Sequence, residues 1–221
     1  MGIALPQSPI LARIVPASTL PVASNCAPVW SLNDLAGKLV EISASAEAAH
    51  LTAAFGLVLE AQLGGDRAAW VTQEHSSFFP PDVMDGGIDL DALPVARVSD
   101  ARTAGRVTDH LVRSGGFGLV VIDLSSEDKT GSGNAWPTYR LPVPLLMRLF
   151  GLARQQNVTV LLLTKKSHET PSLHSLISLR AEARWHRREG RYELSVRVLK
   201  DKRGRPGWTY VEMCHGPAGL R

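Results

Sequence analysis

The chain has 221 residues, 44% of them hydrophobic, and a formal net charge of +3. That length can bury one substantial core, so one core domain with a terminal arm is expected. Mean hydropathy is near zero, and no run of about 18 apolar residues offers a membrane span. Cys26 and Cys214 are the only cysteines and have no zinc-ligand spacing. The N-terminus lacks the basic start and apolar core of a secretory signal. Both cysteines therefore read as reduced thiols, with the cytoplasm as the expected compartment. Charge is uneven along the chain. After position 140 there are 15 Lys/Arg against 6 Asp/Glu, so the first 140 residues are net acidic. Such polarity suggests a docking surface for something acidic, either nucleic acid or the acidic flank of a like subunit.

Residues 1–29 carry Pro6, Pro9, Pro16, Pro21 and Pro28, a density that forbids a long helix and favours extended structure. They are read as a Pro-rich arm, whose Ile10–Val15 run could add a strand to a neighbour, and residues 30–221 as the core domain. Leu39–Ser43 is a short β-rich run, and the Ala-, Leu- and Glu-rich stretch after Ser45 reads as a helix stopped by Gly64-Gly65. Next come a strand at Ala68–Gln73, a Pro80-Pro81 breaker and a short strand at Pro94–Val98. A helix over Ala101–Arg113 follows, with Asp100 as N-cap. Phe117–Asp123 and Val158–Leu163 read as fully buried strands flanking a helix at Pro142–Gln155, with a polar loop over 124–138. Strands alternating with helices predict a mainly parallel sheet covered on both faces, an α/β fold. From Leu179 onward the strand-like segments Ala181–His186, Tyr192–Leu199 and Trp208–Met213 predict an antiparallel C-terminal extension, turned at Gly190 and at Gly204–Gly207.

A strand, a tight turn and an Ala-rich helix form the layout of a phosphate-binding loop, G-x-x-x-x-G-K-[ST]. Here the frame reads Ala44-Ser45-Ala46-Glu47-Ala48-Ala49-His50-Leu51. Alanines at positions 44 and 49 add Cβ atoms where glycine lets the backbone approach phosphate. Neutral His50 carries no fixed charge at pH 7, and Leu51 cannot ligate a hard cation. Glu74 and Asp123 fall at the carboxyl ends of predicted strands, where α/β sheets build sites. Without the glycines, lysine and hydroxyl, the remaining groups cannot position a phosphate. Asp123 then reads as a strand-end residue capping neighbouring backbone. Ordinary strand-to-helix packing accounts for the frame when it is taken alone.

The order of these segments resembles the RecA core, over roughly Leu35–Gly216. Leu39-Val40-Glu41-Ile42-Ser43 and the altered loop resemble RecA's first core strand and phosphate loop. Ala69–His75 resembles the strand ending in the family's catalytic glutamate, and Leu119–Asp123 the Walker B strand, whose aspartate acts through magnesium. Val158–Lys165 resembles the strand ending in a γ-phosphate-sensing glutamine, but Lys165 stands in its place. Val196–Lys202 resembles the segment whose paired lysines reach the ATP of an adjacent filament subunit. The resemblance implies a RecA-like three-layer core, with Glu74 and Asp123 as vestiges of a nucleotide site. The stretch after Lys165 is too short for a full second DNA-binding loop of RecA.

The tail RVLKDKRGRPG, closed by Trp208–Glu212, is more similar to ImuA, a RecA-like accessory family of mutagenic translesion synthesis after DNA damage. That resemblance implies no enzyme activity, no bound cofactor or metal, and partners in RecA, its DNA filament and an inactive Y-family polymerase relative. It also implies association with the nucleoid when active. Lys200, Lys202, Arg203, Arg205, Lys165 and Lys166 are the candidate interaction residues, able to contact a partner or hold DNA weakly and without base preference. Alternation along a strand puts Lys200 and Lys202 on one face; a solvated basic hairpin is the plainer reading of the same residues. Two alternatives stand beside this one. One is a SulA-like inhibitor of the tubulin-like cell-division GTPase, and the other a divergent RecA-type ATPase. The seven histidines show no HExxH or related pattern, so no metal ligand is expected.

Overall fold

The computed structural model describes residues 30–45, 49–74, 76, 83–84, 86–125, 141–188, 191–204 and 206–214. The proposed arm at 1–29, the Pro80-Pro81 breaker, the polar loop from 126 onward, Gly190 and Arg205 lie outside the described residues.

A one-turn helix α1 (Leu32–Leu35), capped by Ser31, leads into strand β1 (Leu39–Ala44). Helix α2 (Ala49–Leu63) follows, and its small alanines let it lie against the sheet with Ala53, Ala54, Leu57, Val58 and Ala61 all buried. It stops where Gly65 takes a left-handed φ of 79°, and the Asp66 N–H returns to the Ala61 carbonyl at 2.8 Å. This is the glycine-based helix stop that the Gly64-Gly65 pair predicts. Strand β2 (Ala68–Gln73) matches its sequence reading, and Trp70 on it stacks on Phe55 of α2 at 4.6 Å. Strand β3 (Val95–Val98) and helix α3 (Ala101–Arg113) come next, the Asp100 carboxylate accepting from the Thr103 N–H at 2.9 Å.

Strand β4 (Leu119–Asp123) is shorter than its apolar run, because Phe117-Gly118 bends past Asp66; a Cβ on Gly118 would lie 2.9 Å from that carboxylate. Helix α4 (Val143–Gln156) ends at Asn157, which adopts φ 56°. Strands β5 (Thr159–Lys165), β6 (Leu179–Arg188), β7 (Arg191–Asp201) and β8 (Thr209–Cys214) complete the chain.

The eight strands form one sheet in the order β3-β2-β4-β5-β1-β6-β7-β8. The strands from β3 to β6 are parallel, and β7 and β8 are added antiparallel. This corrects one expectation: the antiparallel extension starts at β7, since β6 pairs parallel with β1 through Val40↔Leu179 to Ser43↔Glu182. Leu179–Arg188 does form the expected antiparallel hairpin with β7, but its first five residues are buried and Leu179–Glu182 also pair with β1. Side chains alternate between two cores. Val40, Ile42, Trp70 and Val121 point toward α2, while Leu39, Val71, Val120 and Leu162 point toward α3 and α4. The result is a three-layer α/β core with every central strand covered on both faces.

Candidate functional site

In a parallel sheet the strand ends and the following helix N-termini gather on one edge, where ligand sites form. Here that edge carries Ala44, Gln73, Asp123 and Lys165, and the first turns of α2, α3 and α4.

The phosphate-loop frame is packed rather than open where it is described. Ala44 is buried, Ser45 is exposed, and Ala46, Glu47 and Ala48 lie outside the described residues. Ala49, His50 and Leu51 begin α2 and are all buried, with Leu51 in the α2-side core. The position that a phosphate-reaching lysine would occupy thus holds an imidazole only 6% exposed. The position of the magnesium-holding hydroxyl holds a leucine serving the core.

Asp123 is 1% exposed and fully occupied by its own chain. Its Oδ2 accepts from the Thr72 hydroxyl at 3.1 Å and the Ser76 hydroxyl at 2.7 Å. Oδ1 accepts from the Ser125 N–H at 3.0 Å and the Ser125 hydroxyl at 2.5 Å. Four such donors satisfy the buried carboxylate and tie β4 to the end of β2. The sequence reading of Asp123 as a capping group agrees with this geometry, though its donors are mostly hydroxyls. Thr72 stands opposite Asp123 in the ladder, so the pairing follows from register and not from any short motif. Glu74 is exposed just beyond β2, its carbonyl accepting from Arg97 Nη1 at 3.5 Å. The two carboxylates are not joined in one site by any hydrogen bond among the described residues.

A second cluster escaped the sequence reading altogether. Glu41, in the middle of β1, is 0% exposed and accepts from Lys166 Nζ at 2.5 Å, the Thr164 hydroxyl at 3.1 Å and the Leu173 N–H at 2.9 Å. Lys166 also donates to the Pro171 carbonyl at 2.7 Å. Arg180 is 4% exposed; it donates to the Ser167 carbonyl at 2.8 Å and to the Thr170 carbonyl, while its buried Nε has no partner. Burial pulls the Lys166 ammonium below its ordinary range, partly offset by the hydrogen bond and attraction of Glu41. Burial acts on Arg180 in the same direction, against the attraction of Glu41 and Glu182. One strand further, Glu182 pairs with Arg184 at 3.0 Å and lies 3.7 Å from His168. The cluster pins the 166–178 connection onto the sheet. The only signal in the sequence is a glutamate inside an otherwise apolar strand, which must find a cation or be neutralised.

The predicted basic interaction residues separate into distinct environments. Lys165 is exposed at the end of β5, whereas Lys166 is buried on Glu41 and presents no charge to a partner. That is a correction to the grouping of Lys165 and Lys166 as one surface pair: adjacent residues at the end of a strand point to opposite sides. Lys200 is half-buried, donating to the Ser172 hydroxyl at 3.3 Å, and Lys202 is exposed, its ammonium 5.9 Å above the Phe150 ring. Arg203 is exposed, its N–H bonded to Asp201 Oδ1 at 2.9 Å; that carboxylate closes the turn so tightly that a Cβ on Gly204 would meet it at 2.4 Å. Among the described residues no group of His, Cys, Asp or Glu could hold a metal ion, and no helix is long and apolar enough to cross a membrane.

The chain is similar to RecA proteins. Protein RecA of Leifsonia xyli is 29% identical over 137 residues, which are 58% of this chain and 38% of that protein. Protein RecA of Caulobacter sp. strain K31 is 30% identical over 141 residues, covering 60% and 39%. Protein RecA of Corynebacterium urealyticum is 38% identical over 87 residues, covering 39% and 23%. These matches span less than half the length of those relatives. No protein-family profile matches the chain.

Proposed function

We propose that this protein is a RecA-like accessory factor of ImuA type that has lost ATPase activity and acts by protein contact in mutagenic translesion synthesis. Its partners in this reading are RecA filaments and an inactive Y-family polymerase relative. The observation that carries the reading is the carboxyl edge of a RecA-like sheet whose lysine and hydroxyl positions hold buried His50 and Leu51. Asp123, the counterpart of a magnesium-directing aspartate, already has all its acceptor capacity used by Thr72, Ser76 and Ser125. A catalytic edge needs open donors aimed at phosphate; buried His50 and Leu51 supply neither the lysine charge nor the hydroxyl at those positions. Lys202, exposed beside the half-buried Lys200, is the group best placed to enter a neighbour's nucleotide site. A subunit with that contact on one side and the altered loop sequence on the other joins a filament and ends it.

The test is co-sedimentation of purified protein with RecA filaments on single-stranded DNA, formed with a slowly hydrolysed ATP analogue. Polymers of the division GTPase and bare DNA are run in parallel, and ATP turnover is measured. The expected result is selective binding to RecA filaments, weakened by Lys200→Ala/Lys202→Ala, with no turnover. Binding to the division polymer or to bare DNA alone, or ATP turnover lost in Glu74→Gln, overturns the reading.

A further inference from the structure

Helices α3 and α4 lie side by side on one face of the sheet, and a cleft of roughly 330 Å³ opens between their first halves. Its floor is apolar: Leu145, Pro142 and Pro144. Its walls are three arginines, Arg102 and Arg106 from α3 and Arg148 from α4. The close approach is set by Gly105, where a Cβ would meet Leu145 Cδ2 at 2.3 Å. The cleft continues toward Asp109 and His110. Asp109 is buried and already holds Arg148 at 2.6 Å and Arg113 at 3.3 Å. Arg102 and Arg106 are exposed, and neither guanidinium has an ion-pair or hydrogen-bond partner among the described residues. Both helices begin at this end, so their positive dipole ends add to the same field.

We infer that this cleft is a docking site for an acidic peptide segment of a partner protein, one with an apolar side chain flanked by carboxylates. The apolar side chain seats against Leu145 and the prolines, and the carboxylates meet Arg102 and Arg106. Charge complementarity selects the occupant, because guanidinium pairs carboxylate in bidentate fashion. An apolar floor between arginines favours a peptide over a nucleic-acid backbone, which has no group to bury there. The inference rests on α3 and α4 alone and is independent of the RecA-accessory reading.

The probe is a fluorescein-labelled peptide of about 12 residues, Glu and Asp alternating with Leu and Phe, followed by fluorescence anisotropy on the full chain. Saturable binding that weakens with added salt is expected. Amide NMR shifts should fall on α3 and α4. Arg102→Glu/Arg106→Glu, which alters only exposed unpaired side chains, should weaken binding about tenfold or more while circular dichroism stays unchanged. A peptide with Lys in place of the carboxylates should not bind. Equal affinity for the double variant, or no binding of the acidic peptide, overturns the proposal. Arginine-dependent binding of single-stranded DNA that the peptide cannot displace also overturns it.

Discussion

Lys200 lies across from Arg180 in the ladder, donates to Ser172 and is only partly exposed. Burial first, and the nearby Lys202 charge second, pull its ammonium below the ordinary value of 10.5, while Glu41 pulls the other way. A lysine whose folded value is depressed binds fewer protons in the native state than in the unfolded chain over the window just below 10.5. Stability therefore rises with pH across that window, and the contribution is lost again as pH falls through the folded value. The expected outcome is that the Tm of the wild type gains on that of Lys200→Met as pH is raised through the alkaline range toward 10.5. Thermal melts of both proteins at a series of pH values check it; a constant difference would mean that Lys200 is solvated like any surface lysine. Glu41 is buried with three donors, two of which, Lys166 and Leu173, anchor the 166–178 segment on β1.

Between elements, glycine has different meanings in α3 and α4. Replacing a helical glycine by alanine gains up to about 1 kcal/mol of helix propensity. At Gly105 the new Cβ would lie 2.3 Å from Leu145 Cδ2 and 3.0 Å from Leu141 Cδ2, and Leu141 is buried and cannot turn away. Overpacking of this kind costs roughly 1–3 kcal/mol. Gly105→Ala should therefore lower stability by about 1 kcal/mol net, whereas Gly151→Ala, with nothing within 4 Å, should raise it by up to that amount. Urea unfolding of the two variants checks both signs. A stabilised Gly105→Ala would show that α3 and α4 separate at no cost, and the cleft between them would then have no fixed width.

Across the whole molecule, protection follows the strand order. The strands β4, β5 and β1 have a neighbour on each side and are covered on both faces, while β8 pairs among the described residues with β7 alone and leaves Val211 and Met213 half exposed. Hydrogen exchange should be slowest in β1, β4 and β5 and faster by orders of magnitude in β8, in line with local opening at sheet edges. Protection of β8 equal to that of β5 would mean that another chain covers this edge. The same architecture places the cleft at α3–α4 and the exposed Lys202 on the face opposite α2, so one face of the sheet carries both surfaces proposed for contact.

Local chemistry in the sequence was enough for the α/β order, the helix over Ala101–Arg113 with its Asp100 cap, and the stop at Gly64-Gly65, because periodicity and capping act over a few residues. The side chains of Ala44–Leu51 are read directly from the sequence, and the fold buries Ala44, Ala49, His50 and Leu51. What the tertiary structure decided are the relations between distant residues. Thr72 meets Asp123, Glu41 meets Lys166, and Leu179–Glu182 joins β1 in parallel, each through a register that no neighbouring residue encodes. The arginine cleft belongs to the same class: Arg102 and Arg148 are 46 positions apart and share a surface because α3 and α4 pack at the distance Gly105 allows. Short-range propensity writes the elements, and the free energy of burying charge and apolar surface together writes their pairing.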